Sequence, residues 1–506
     1  MYIFRVLLNA LLICTLVLPA PLVAFAADIT PDPAAAAGNR PGMDAASNGV
    51  PVVNIVAPTK SGLSHNMYLD FNVGKQGVII NNSNKPGISQ LGGGMMGNPK
   101  FGGGAQATTI LNEVTSNRPS SIQGFTEIFG GKADYILANP NGVSINGGGF
   151  INTSRAIMTT GVPQVAGGKL NSIEVNQGSI AIEGEGFNAN GADSFTILSR
   201  AATIAADVHA KRLALVAGRN SYDPTTEAAT ALADDPAAGP APTVAVDSAA
   251  LGGMYANRIL LVATEKGVGV NLQGAVKAGS LSLSADGKLS LKQAQADTNA
   301  EIAAGTLDVV KDGTLVAQGD ITVTADVIDN SGLTYSGGKT SLLADTSITN
   351  KAGSIVAKAD LSMGDSLASS PAVDVAITNE GGLVQSLEGN VDITAGSFLN
   401  KIELLDIQRT LIDTKRVPRF DGKEPVARYI SRTWGSRPYD TRVLEETTYK
   451  YREDVVSKTA TPQVLAGGDI TIEAKNLTND HGLIAAKNNM SLKGEKLVNK
   501  GTKVSY

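Results

Sequence analysis

Three histidines, His65, His209 and His481, are the side chains suited to proton transfer or metal binding near neutral pH, and they stand far apart in the chain without nearby acidic partners. Cys14 is the single cysteine. A Cys/His metal site is therefore excluded once a leader is removed, and three scattered histidines do not support a His-rich one. No Gly-x-Ser-x-Gly elbow occurs, which leaves a serine hydrolase without its nucleophile turn. Gly337-Gly338-Lys339-Thr340 has the tail of a phosphate loop, but the spacing requires glycine where Leu333 stands. A glycine corner before a strand fits it better. Acidic pairs such as Asp234-Asp235 fall in a solvated stretch. The expectation is no catalytic, metal or cofactor-binding residues, no cofactor, and a chain that is not an enzyme.

Two other groupings point to recognition. Gly131-Lys132-Ala133-Asp134-Tyr135-Ile136-Leu137-Ala138 is a β-rich run leading into Asn139-Pro140-Asn141-Gly142, and a short apolar run, Val143-Ser144-Ile145, follows. Proline fixes φ near –65°, asparagine tolerates left-handed φ and glycine accepts either sign, so this is a tight turn that sets the register of its flanking strands. The second grouping lies in residues 401–462, where charge and aromatics rise together. Arg428, Tyr429, Arg432, Trp434, Arg437 and Tyr439 form its centre, and Trp434 is the only tryptophan. Arg, Tyr and Trp are enriched at interface hot spots. The segment reads either as a contact surface or as a solvated arm whose aromatics pack locally.

The elements that must hold these residues are strands. Short runs rich in Val, Ile, Leu and Thr, punctuated by Gly, Asn and Asp, dominate from Val50 onward, and long helical periodicity is nearly absent. From about residue 276 a unit recurs: strand, Ala-Asx, apolar, x-Asn, Gly, apolar, x-Ala. Asn330, Asn350, Asn379, Asn400, Asn479 and Asn499 mark it at intervals near 20 residues or longer. A period near 20 with strand-like runs predicts a parallel β-solenoid, each turn stacked about 4.8 Å on the last. Glycine and asparagine would make its corners, and the recurring asparagines could stack amide to amide. The fold class is all-β: a right-handed parallel β-helix with N-terminal capping strands and extra-helical hairpins, the hand resting on the crossover rule and on the family resemblance given below. Residues 219–246, rich in Ala, Pro, Asp and Thr, read as a surface loop. Residues 401–462 read as an excursion, a long hairpin, because Glu445 to Val456 alternates.

The chain opens like a secretory signal peptide over residues 1–26, with Arg5, an apolar run from Val6 to Pro19 and Ala24-Phe25-Ala26 at the cleavage site. No other segment is apolar enough to span a bilayer as a helix. With 56 glycines, 18% charged residues and a net charge of –5, nothing favours a nucleic-acid partner.

The ordered set Thr109-Ile110-Leu111-Asn112-Glu113-Val114-Thr115, then Asn139-Pro140-Asn141-Gly142, then Gly149-Phe150-Ile151-Asn152-Thr153 and Thr159-Thr160-Gly161 resembles the secretion domain of filamentous haemagglutinins and related exoproteins of bacterial two-partner secretion. Asp247 to Val270 also resembles that family. A second Asn-Pro motif of the family ends in Asn-Leu; here it reads Asn98-Pro99-Lys100-Phe101. The resemblance implies a secretion domain over residues 27–275, repeats over 276–400, the basic-aromatic insertion over 401–462 and further repeats over 463–506, the last stopping inside a repeat as in a truncated chain. It implies that Asn139, Pro140, Asn141, Gly142, Asn112, Glu113, Asn98 and Pro99 serve recognition by the periplasmic domains of an outer-membrane transporter. The chain would pass through the periplasm to the cell surface or medium. There it would meet a host or neighbouring cell, as an adhesin or haemagglutinin, or as the stalk of a contact-dependent inhibition toxin. Two alternatives stand beside this: a secreted β-helical polysaccharide lyase or hydrolase, which needs clustered carboxylates on one face, and a truncated remnant of a larger exoprotein.

Overall fold

The computed structural model describes residues 29–233, 235–249, 251–365, 375–418 and 445–501. The leader expected at 1–26 lies outside them, as do Arg428, Tyr429, Arg432, Trp434, Arg437 and Tyr439. Two compact units divide the chain, one ending at Leu289 and the other beginning at Ser290.

Unit one is a parallel β-helix because its short apolar runs recur at a spacing that lets each strand lie in register on the next. One stack runs through Leu63–Phe71, Thr109–Val114, Ala133–Ala138, Thr153–Thr159 and Ala192–Ser199, all paired parallel. A second holds Ser120–Ile122, Val143–Ile145, Ser179–Ile182, Ala201–Ile204 and Val244–Ser248. A third begins Pro51–Asn54, Val78–Asn82, Phe125–Gly130 and Gly149–Ile151. Alternate side chains enter the core. Ile110, Tyr135, Leu137, Ile145, Ile180 and Phe195 are fully or almost fully buried there. Phe150 packs edge-on to Phe187 with ring centroids 5.2 Å apart. The first strands break the parallel rule: Ile29–Pro31 runs antiparallel to Leu63–Phe71, and Gly42–Ala45 antiparallel to Pro51–Asn54. They cover the N-terminal edge, which would otherwise offer open hydrogen-bonding groups.

The expected loop at 219–246 is instead partly strand. Asn220–Asp223 and Ala228–Ala231 join Val162–Ala166 and Lys169–Val175 in a four-stranded antiparallel sheet. Buried Tyr222, Ile173 and Val175 pack with Ile157 and Leu198 of the helix wall. A few well-placed apolar residues suffice to hold Ala- and Thr-rich strands that show no alternation of their own.

Unit two stacks Ala300–Ala317, Ile321–Asn330 and Thr340–Lys351 in parallel. Here the recurring asparagines form a continuous amide ladder. Asn330 donates to Asn350 at 2.7 Å, Asn350 to Asn379 and Asn379 to Asn400 at 2.8 Å, Asn400 to Asn479 at 2.7 Å, and Asn479 to Asn499 at 2.8 Å. The corner glycines are glycine for a reason other than the one expected. Positive φ falls one position earlier, at Ala352, Gly381 and His481. A Cβ at Gly382 would stand 2.3 Å from the Asn350 amide nitrogen, and one at Gly482 would stand 2.1 Å from that of Asn400. The glycines make room for the ladder.

Candidate functional site

Asn139 ends the strand Ala133–Ala138 and is completely buried. Its side chain is saturated. The amide Nδ2 donates to the Arg118 carbonyl at 2.9 Å and to Ser120 Oγ at 3.0 Å, and Oδ1 accepts the Asn141 backbone N–H at 3.0 Å. That last bond is an Asx turn, and the Gly142 N–H closes the backbone turn on the Asn139 carbonyl at 3.0 Å. The left-handed asparagine expected from the sequence is absent: only Gly142 carries positive φ, at 109°. Asn and Pro at the first two positions with Gly at the fourth suit a turn whose central residues keep negative φ. Asn141 is exposed, and its Nδ2 donates to the Ser116 carbonyl at 2.8 Å. The turn thus rests on the segment Ser116–Ser120 of the preceding rung.

Asn112 and Glu113 come to the same place. They sit on Thr109–Val114, where Asn112 pairs with Leu137 and Glu113 with Ala138, one residue before the turn. Asn112 is buried and accepts the Tyr68 hydroxyl at 2.9 Å. The Tyr68 hydroxyl is pushed well above its ordinary pKa by burial, so it stays a neutral donor. Glu113 is not solitary: His65 Nε2 lies 2.7 Å from its Oε2. His481 likewise meets Asp480 at 2.5 Å. The view that the histidines lack acidic neighbours is therefore wrong for two of the three. His65 and Glu113 are 48 residues apart in sequence and are joined only by strand stacking.

Asn98 and Pro99 are not brought there. They occupy the corner after Val78–Asn82, which stacks on Gly130, at the other end of the strand that Asn139 terminates. The construction is nonetheless the same. Asn98 is buried, its Nδ2 donates to the carbonyls of Ile55 and Asn81, both at 2.8 Å, and its Oδ1 accepts the Lys100 N–H at 2.9 Å. Pro99 opens a 3-10 turn to Phe101, and Phe101 fills the buried position of the altered motif. Beside it the hairpin Gly87–Ser89 and Gly93–Met95 is anchored by buried Glu127, which accepts the Ser89 hydroxyl at 2.6 Å and the Gln90 and Leu91 N–H groups at 2.8 Å. Sequence reading missed Glu127, because a single Glu in a strand gives no sign that it is buried.

The phosphate-loop tail is a corner. The Lys339 N–H donates to Asp320 at 2.7 Å, and its ammonium pairs with Asp360 at 3.1 Å. Among the described residues no group of three or more His, Cys, Asp or Glu could hold a metal.

The TPS secretion domain model matches residues 27–291, more than half of the chain. The chain belongs to the TPS secretion domain family. The haemagglutinin repeat model matches residues 295–365 and 460–505 of this TPS chain. A solved filamentous haemagglutinin secretion domain is 33% identical, with a TM-score of 0.50, and the match covers 62% of this chain and 96% of that one. The 16S rRNA endonuclease CdiA of Enterobacter cloacae is 42% identical over 319 residues, 62% of this chain and 9% of that protein. The tRNA nuclease CdiA-2 of Burkholderia pseudomallei is 42% identical over 260 residues, 51% of this chain and 8% of that protein. The TPS chain therefore spans less than a tenth of the length of these two relatives.

Proposed function

We propose that this chain is the address and first stalk segment of a two-partner exoprotein, bound in the periplasm by the soluble domains of an outer-membrane transporter and passed to the cell surface. One observation carries the reading. Two Asn-Pro turns on a TPS-family β-helix are built alike, each with a buried Asn that clamps the preceding rung and a turn presented outward. Such turns hold their shape without help from a partner, which lowers the ordering cost of recognition. The residues assigned to it are Asn139, Pro140, Asn141 and Gly142 with Asn112 and Glu113 beneath them, and Asn98 and Pro99 at the second corner. The role is delivery and not catalysis. The nuclease names of the relatives belong to proteins more than ten times the length of the shared region, and an adhesive or toxin-bearing distal part fits the same stalk.

The test is secretion. Asn139→Ala with Asn141→Ala, co-expressed with the cognate transporter, should lower the amount of protein in the medium while leaving it in the periplasm. Wild-type yield from the double variant would end the assignment of the turn.

A further inference from the structure

Strands Leu405–Pro418 and Glu445–Lys458, 14 residues each, pair antiparallel in a two-stranded sheet of their own. The rungs on either side stack directly, Leu383–Ser386 on Gln463–Ala466 and Val391–Lys401 on Ile470–Asp480, so the ribbon leaves unit two without interrupting it. Between its two bulges the register is unbroken: Ile407 faces Val455, Arg409 faces Glu453 and Leu411 faces Tyr451. Directly opposed side chains share one side of a sheet. One face therefore carries Ile407, Leu411, Tyr451 and Val455 around a central Arg409–Glu453 pair, and the other carries Gln408, Thr410, Arg452 and Asp454. The apolar members are uncovered, at 41% exposed for Ile407, 47% for Leu411, 36% for Tyr451 and 42% for Val455. The ribbon's own unit does not bury them, and an isolated two-stranded ribbon is marginal in water.

We propose that this face packs on the same face of a second copy of this chain, about a two-fold axis parallel to the ribbon. The charges select that axis. It lays each strand over the opposite strand of the second copy at the same height, so Arg409 of each copy meets Glu453 of the other, Leu411 meets Tyr451 and Ile407 meets Val455. A two-fold crossing the ribbon at the level of this pair would set Arg409 on Arg409. Within one copy Arg409 Nε and Glu453 Oε1 are 3.9 Å apart, beyond hydrogen-bond distance, and the guanidinium lies 4.1 Å from the Tyr451 ring centre. Between the bulges this face is five residues long on each strand, about 17 by 10 Å, or roughly 170 Å² per copy, against about 800 Å² for a standard stable interface. The association is therefore weak and concentration-dependent, and many copies on one surface would reinforce it.

Sedimentation of the full chain tests this across micromolar to hundreds of micromolar concentrations. The mass should rise from 52.0 kDa toward twice that value. Arg409→Glu alone and Glu453→Arg alone should each stay monomeric. An equimolar mixture of the two should dimerise again, because each opposed pair then has opposite signs, and the chain carrying both changes should dimerise with itself. A wild-type chain that stays monomeric throughout, single variants that dimerise like wild type, or a mixture that stays monomeric would each overturn the proposal.

Discussion

Replacing Asn139 by alanine removes one side chain from a closed network and measures how far the turn depends on it. Three short bonds go, those to the Arg118 carbonyl, to Ser120 Oγ and from the Asn141 N–H, together with a longer one of 3.2 Å from the Asn141 side-chain amide. At about 0.5–1.5 kcal/mol net for each, with partners left in buried or half-buried positions, the turn should lose about 2–4 kcal/mol. Hydrogen exchange reads this locally. The Gly142 N–H bonds to Asn139 O, and the Ser120 N–H to Gly142 O, both at 3.0 Å. At 1.4 kcal/mol per tenfold change, protection at these two amides should fall by about 30- to 1,000-fold. Asn141→Ala is the control. Asn141 is exposed, and its removal costs the bonds from its Nδ2 to Ser116 O and, at 3.2 Å, to Asn139 Oδ1, while the backbone Asx bond stays, so the same amides should change by no more than roughly tenfold. If Asn139→Ala left both amides within about threefold of wild type, the clamp would not be what holds the turn, and the reasoning would fail.

Four further outcomes are expected. Asn379→Ala cuts the amide ladder at two bonds and should destabilise unit two by about 1–3 kcal/mol, seen as a lower thermal midpoint for its part of the melt. Glu127→Ala frees the Ser89 hydroxyl and two N–H groups, so a protease should cut first between Gly87 and Met95. Deleting 405–458 and joining Leu404 to Thr459, whose backbones already meet at 3.0 Å, should leave unit two's melting temperature unchanged, because the flanking rungs stack without the ribbon. The Thr115 hydroxyl and the Ala34 N–H hold the Asp32 carboxylate below its ordinary value of 3.8. A depressed folded value means that its stabilisation is complete above about 3.8 and is lost as pH falls through the folded value; exchange at Ala34 should rise only in that acid range, and Asp32→Asn should abolish the dependence.

What the sequence revealed and what it hid divide along physical lines. The solenoid was legible because its corner asparagines recur, and that recurrence is the amide ladder itself. The turn at Asn139 was legible because Asn-Pro-Asn-Gly is local chemistry. The backbone detail was not: the sequence suggested left-handed asparagines, but an Asx bond lets both keep negative φ. The role of the corner glycines was hidden for a related reason, since Gly382 answers to an amide of Asn350, some thirty residues earlier and one rung below. His65 with Glu113, and Glu127 with the Gly87–Met95 hairpin, are contacts between rungs, and no window of sequence contains both partners. The small antiparallel sheet was missed because Ala228–Ala231 has no apolar alternation and is held by neighbours such as Tyr222. A second corner series was also invisible. Asn299 accepts the Asp320 N–H at 3.0 Å, Asp360 that of Asn390 at 3.1 Å, Asn390 that of Asp469 at 2.9 Å, and Asp469 that of Asn489 at 2.8 Å. Its members are a mixture of Asp and Asn on the exposed side, with Lys339 standing between Asp320 and Asp360, so no single residue type marks the period.

The TPS region is proposed to carry the address that the transporter's periplasmic domains read. Titration calorimetry of those purified domains into residues 27–291, beside the full chain, measures it most directly. One-to-one binding with the same affinity for both is expected, weakened at least tenfold when Asn139 and Asn141 are replaced. Binding that appears only when residues 292–506 are present, or that ignores the two asparagines, would contradict it.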